Sequence, residues 1–179
     1  MKLNITPNNN RRDLGPNDFI VSKTDTKGRI TYANRIFMDI AGFPESDLLG
    51  VQHNIIRHPD MPRGVFRFMW DTLKAGNEFI GFAKNLCADG GYYWVFANIT
   101  PDYDKGGKLQ GYYSVRRQPP QSALDVLIPV YKEMLAIEKR SSVKEAPEKS
   151  IAYLVDVVGQ VGAKSYDSLV LSLYKPNGV

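Results

Sequence analysis

Two imidazoles, a guanidinium and a carboxylate, from His53, Arg57, His58 and Asp60, fall within the ten residues that end at Pro62. That is more polar chemistry than a connecting loop requires. Pro59 fixes its own φ and biases His58 toward extended backbone, and Pro62 suits the first position of a helix, so the segment is stiff where its polar groups sit. A guanidinium grips phosphate with paired bonds, and an imidazole ligates a metal or a haem iron. The two histidines stand five positions apart with no third His or Cys beside them, so no closed zinc site is expected. A haem needs one imidazole only, which keeps that reading open, although a stiff extended segment aims a ring less naturally than a helix does. Asp60, just ahead of the next helix, has a structural alternative as the cap of that helix's free N–H groups.

Catalysis finds little support. No Ser/His/Asp arrangement and no phosphate-binding glycine loop follows a strand, and Gly90-Gly91 and Gly106-Gly107 read as hairpin turns. Cys87, the single cysteine, excludes an internal disulfide and a thiolate metal cluster, and reads as a small buried hydrophobe on a strand. The reading is a non-enzyme without a metal centre.

The elements that must hold the polar stretch follow from periodicity. Residues 19–24 and 29–33 are β-prone on either side of Asp25-Thr26-Lys27-Gly28, a hairpin signal. Asn34 ends that hairpin and caps a short helix over 35–41, with Ile36, Phe37 and Ile40 at helical spacing, and 46–50 supplies another helical turn. After the polar stretch, 63–74 puts Val65, Phe66, Met69, Trp70 and Leu73 on one face and stops at Gly76. The period then changes to two over 78–87, 92–100 and 108–117, which predicts three antiparallel strands. The order gives an α+β fold, one five-stranded antiparallel sheet with helices on one face, and a helix-covered half-sheet is a cup.

Three parts are expected: a flexible arm over 1–17, a core over 18–118, and an amphipathic helical appendage over 119–179. In the appendage Leu124, Leu127 and Tyr131 begin a stripe that Pro129 must kink or restart, 140–150 reads as a solvated linker, and Ile151, Leu154, Val155 and Val158 form a second stripe. A net charge of +4 with scattered Lys and Arg speaks against nucleic acid. The start lacks an apolar signal region and no run of about 18 apolar residues occurs, so a cytoplasmic protein without direct membrane insertion is expected.

Five pieces stand in a familiar order and spacing: residues 28–34, the core Arg57-His58-Pro59-Asp60-Met61-Pro62 with Asn54 ahead of it, residues 69–76 around Trp70, Lys84-Asn85, and Tyr92-Tyr93-Trp94-Val95. In these the chain resembles a PAS domain, and within PAS the aerotaxis and energy-taxis receptor type, over about 18–118. The resemblance implies the PAS fold, FAD held non-covalently, and a redox or energy-state sensor serving chemotaxis. It implies flavin-binding positions at Arg57, His58, Asp60, Trp70 and Asn85, and more weakly at Asn34 and Tyr93. On chemistry, Asn85 would offer its amide to the ring edge, Trp70 would lie against ring or adenine, and Arg57 would hold phosphate. Core packing for Trp70 and a satisfied buried amide for Asn85 are the structural alternatives.

The chain departs from full-length aerotaxis receptors in that nothing after Lys139 spans a membrane or offers long heptad-bearing helices. The expected partner is therefore a chemoreceptor or HAMP-containing signalling protein in trans, with a homodimer through the sheet or the C-terminal helices as a further option. Blue-light flavoproteins of the fold require a reactive cysteine on the central helical segment, and 53–60 has none. Two rivals stay open: a haem-based gas-sensing PAS domain, and a cofactor-free PAS interaction module whose cup is filled by side chains.

Overall fold

Among residues 5–174, which the computed structural model describes, six strands and six helices are present. In chain order they are β1 (Arg11–Arg12), β2 (Ile20–Asp25), β3 (Ile30–Ala33), α1 (Arg35–Ala41), α2 (Glu45–Leu48), α3 (Arg63–Lys74), β4 (Phe79–Leu86), β5 (Tyr92–Tyr103), β6 (Leu109–Arg117), α4 (Gln121–Arg140), α5 (Ala146–Gln160) and α6 (Tyr166–Leu173), with a 3-10 turn at His53–Ile56 ahead of α3. The five antiparallel strands that the pattern predicts lie in the order β4-β5-β6-β2-β3. A sixth was not legible: β1 runs parallel to β5, Arg11 beside Tyr92 and Arg12 beside Tyr93, so the sheet is mixed. Part of the stretch read as a flexible arm is thus strand, and the Asn8 N–H also bonds to the Gly90 carbonyl at 2.8 Å.

Asn34 shows why the first hairpin stops where it does. Its Oδ1 accepts from the N–H of Phe37 at 3.1 Å, capping α1, and from Val21 N–H at 3.0 Å, while its Nδ2 donates to the Phe19 carbonyl at 2.7 Å. Gly42, with φ 71°, closes α1 in the left-handed conformation. Alternation along β5 then separates two cores: Tyr93, Val95 and Ala97 pack toward α1 and α2, and Trp94 and Phe96 toward the appendage.

The appendage folds back around the β4 edge. The Tyr131 hydroxyl of α4 donates to the Phe82 carbonyl at 2.9 Å, which satisfies an edge-strand acceptor, while Trp94 stacks on Tyr131 and Phe96 on Tyr174 at centroid distances of 6.4 and 4.0 Å. Helix α4 runs unbroken through Pro129, which sits on its exposed side where the carbonyl it leaves unpaired can meet water. The predicted linker is short, since α5 starts at Ala146 with Pro147 in its first turn.

Helices α3 and α5 approach so closely that a Cβ on Gly64 would overlap the Ser150 hydroxyl and lie 3.0 Å from the Pro147 carbonyl oxygen. Propensity alone would make Gly64→Ala slightly stabilising; overpacking reverses the sign. We expect urea unfolding of Gly64→Ala to show a loss of about 1–3 kcal/mol. An unchanged or raised midpoint would contradict the close packing.

Candidate functional site

Between α3 and the inner face of the sheet lies a cavity of about 260 Å³, a little below the usual range of roughly 300–1,000 Å³ for ligand sites. Its helix side is apolar, from Val65, Phe66, Met69 and Trp70. Its strand side mixes apolar groups, among them Phe82, Val95 and Tyr112, with the polar Thr24, Asn85, Ser114 and Arg116, and His53 and Gln52 enter from the turn. The alternation that makes the strands also aims these groups, because Tyr112, Ser114 and Arg116 of β6 share one face.

Arg116 dominates the electrostatics. It is 3% exposed, and no carboxylate pairs with it among the described residues. Nη2 donates to Ser22 Oγ at 2.6 Å and the guanidinium lies 4.5 Å from the Phe37 ring centroid, but Nε and Nη1 are buried without a partner among the described residues. Burial draws its pKa down to about 10, so it remains a cation at neutral pH. The hydroxyls of Ser114 and Thr24 are likewise buried and unpartnered at the cavity wall. An uncompensated charge with orphaned donors is destabilising by itself, and natural interiors keep such groups where something else satisfies them.

Ser22 accepts from Arg116, and its hydroxyl also shares a hydrogen bond of 3.0 Å with His53 Nε2. The His53 ring stacks on Phe37 at 5.8 Å. Burial, aided by the Arg116 charge, pulls His53 down to about 3, so this imidazole is neutral.

The residues singled out by sequence divide into two groups. Arg57, Trp70 and Asn85 line the cavity. Arg57 lies over the Phe66 ring at 4.1 Å and pairs through its backbone with Asn85, while Trp70 meets Tyr112 edge-on at 5.2 Å. His58, Asp60, Asn34 and Tyr93 do not line it. His58 is buried, its Nδ1 accepting from the Asp60 N–H at 3.1 Å and its Nε2 unpartnered. Asp60 is exposed and holds Lys84 at 2.7 Å. Burial raises the Asp60 carboxyl, but the Lys84 bond and charge outweigh this and keep it below its ordinary value. The capping alternative for Asp60 does not hold, since α3 has no cap from its own neighbourhood. Asn34 spends its side chain on the hairpin and α1, and Tyr93 is fully buried with its hydroxyl unpartnered. Cys87 is buried and donates to the Ile40 carbonyl, and burial pushes its thiol up to about 11, as an inert core cysteine requires.

Arg116, Ser22, Ser114 and Thr24 were missed, and His53 was weighed only as a metal ligand. The signal for Arg116 was available: it falls on the inward phase of a strand whose neighbours in phase are Tyr112 and Ser114.

Burial, with Lys84 adding to it, also pulls His58 down, to about 4. Both imidazoles are therefore neutral in the folded chain at pH values where the unfolded chain, near 6.5, binds protons. Stability is fully present above about pH 6.5 and falls as the pH drops toward 4, at up to about 1.4 kcal/mol per pH unit per histidine. The protein is expected to lose about 2–4 kcal/mol between pH 6.5 and pH 5 in urea titrations, with His53→Asn reducing the slope. A flat profile over that range would show that the imidazoles are not held neutral.

The core is thus a helix-walled half-sheet with a cavity against its inner face. Residues 30–116 match the family model described as "PAS fold", and this part of the chain has that fold. Over 123 residues it is 38% identical to the aerotaxis receptor of Escherichia coli (strain K12), a match covering 69% of this chain and 24% of the receptor. It is 33% identical over 97 residues to the nitrogen fixation regulatory protein of Klebsiella pneumoniae, covering 54% of this chain and 20% of that protein. The chain thus spans about a quarter or less of the curated relatives it matches. Among solved structures it superposes with a TM-score of 0.55 on the light-state structure of the blue-light photoreceptor Aureochrome1 LOV, at 18% identity, over 62% of this chain and 88% of that one. A second light-oxygen-voltage domain, in a structure titled for a flavin analogue, gives 0.55 at 20% identity, over 62% and 83%. These two likenesses establish the fold. No helix among the described residues is long and apolar enough to cross a membrane.

Proposed function

We propose that this PAS domain binds FAD non-covalently in the cavity under α3 and passes its redox state to a chemotaxis-type receptor through protein contact. The observation that carries the reading is Arg116, a buried cation whose Nε and Nη1 lack partners among the described residues, at the wall of a pocket lined by both apolar and polar side chains. A ring system with polar edges and apolar faces matches both sides of that wall. Arg116, Ser114 and Thr24 would meet its oxygen and nitrogen atoms, Asn85 would present its carboxamide to the edge, and Trp70 and Met69 would cover a face. Arg57, at the end of the same wall and half-buried, would hold the phosphate side. When bound, the flavin supplies electron transfer with a change in charge and protonation of its ring. The chain's own contribution is a fixed positive charge at Arg116 and a neutral imidazole at His53, joined through Ser22, which favour negative charge in the cavity.

Similarity to the aerotaxis receptor and the nitrogen fixation regulatory protein supports this reading over the two rivals. A haem would need an imidazole nitrogen aimed into the cavity. His58 lies outside it, and His53 Nε2 is held by Ser22. A cup filled by its own side chains gives no use for the unpaired guanidinium. The test is equilibrium titration of cofactor-stripped protein with FAD, FMN and haemin in parallel. Saturable uptake of FAD in preference to FMN is expected, and saturation by haemin with a ligated-iron spectrum would defeat the proposal.

A further inference from the structure

Helix α3 forms the apolar wall of the cavity, yet its own sequence provides no cap. Pro62 occupies the N-cap position without a side-chain bond, and Asp60 is turned away to Lys84. The missing acceptor comes from the other end of the chain. Glu138, near the C-terminus of α4, accepts from the N–H of Arg63 at 2.9 Å through Oε2 and from the N–H of Gly64 at 2.8 Å through Oε1. The same Oε1 accepts from the Ser150 hydroxyl of α5 at 2.8 Å. One carboxylate therefore joins three helices. It sits at the positive end of α3, where a negative charge is favoured and bonds to it are stronger than neutral ones.

Other features at this junction point the same way. The Arg63 guanidinium donates to the Val143 carbonyl at 3.3 Å, in the turn between α4 and α5. Gly64 has no Cβ, which permits the contact with Ser150 and Pro147. The two residues that lead from the cavity to this cap, Met61 and Val65, both line its wall, as does Arg57 on the segment that precedes them.

We infer that Glu138 is a positioning residue for the cavity: by capping α3 from α4 it fixes the helix wall and ties the docking of the C-terminal helices to occupancy of the pocket. Phe66, Met69 and Trp70 are carried on α3, and α3 is held at its first turn by this carboxylate. Whatever the pocket ligand does to α3 is then felt by α4 and α5, and the effect is reciprocal. The inference rests on the flavin reading above, because FAD is the ligand used to test it.

The full-length chain is compared with Glu138→Ala, Glu138→Gln and the surface control Glu133→Ala, whose carboxylate pairs with exposed Arg140 on the same helix. FAD affinity is measured by titration, and amide hydrogen exchange is followed with and without FAD. Glu138→Ala is expected to weaken FAD binding about tenfold, Glu138→Gln less because one carbonyl acceptor remains, and Glu133→Ala not at all. In the wild type FAD should slow exchange at the amides of Arg63, Gly64 and the first turns of α5, and this response should vanish in Glu138→Ala. Should Glu138→Ala fail to fold, the wild-type exchange response and the Glu138→Gln affinity decide the matter. Wild-type protein that binds FAD with no change in α5 exchange, or variants that bind as the wild type does, would overturn the coupling and leave the flavin reading intact. Wild-type protein that takes up no flavin overturns both.

Discussion

Replacing Arg116 by Met is expected to make the cofactor-free protein more stable and the flavin complex weaker. The two effects have one cause. Arg116 is buried, paired with no carboxylate among the described residues, and satisfied at only one of its donor nitrogens by Ser22. Exchanging a buried ionic group for an apolar one of similar size is often stabilising by about 1–4 kcal/mol. Its contact with a ligand, being charge-assisted, should be worth about 1.5–3 kcal/mol, or roughly ten- to hundredfold in affinity. Urea unfolding of the stripped protein and FAD titration of the same variant read out the two arms. Arg116→Lys, which keeps the charge without the fork, should recover part of the binding. If Arg116→Met destabilises the stripped protein while FAD affinity stays at the wild-type level, the guanidinium is a structural group and the proposed site chemistry is wrong.

Deleting residues 119–179 is expected to abolish cooperative folding of the remaining core. The C-terminal helices supply Leu124, Leu127, Tyr131, Met134, Leu154 and Leu169 to the core that also contains Phe82, Trp94 and Phe96. Without them three large aromatic side chains and the β4 edge face water, an exposed apolar patch of the kind that drives association. The deletion variant should aggregate or bind a hydrophobic dye strongly, and its urea transition should broaden. A monomeric core with a sharp transition and normal flavin uptake would show that α4–α6 are dispensable to the fold.

Most of the core was legible because its strands are rich in aromatic and β-branched residues between turn signals and its longest helix carries one apolar face. Trp70 and Leu73 on α3 and the turn glycines of the hairpins are examples. The strand β1 was not, since Arg11–Arg12 has no apolar pattern and is held by pairing with Tyr92 and Tyr93, a long-range contact that local sequence cannot encode. Of the residues singled out by sequence, Arg57, Trp70 and Asn85 line the cavity, while the side chains of His58 and Asp60 lie in the loop and against Lys84. Charge density in one segment is visible in sequence. A buried cation such as Arg116 shows only when strand phase is carried through to the facing wall, and the Glu138 cap bridges 75 positions to Arg63.

Cofactor identity in freshly purified full-length protein tests the central claim most directly. The expected result is a yellow protein with the two-banded absorption of an oxidised flavin, from which heat or acid releases FAD and not FMN. A Soret band that persists in protein prepared with haem supplied, or a folded, colourless protein that refuses added FAD, would contradict it.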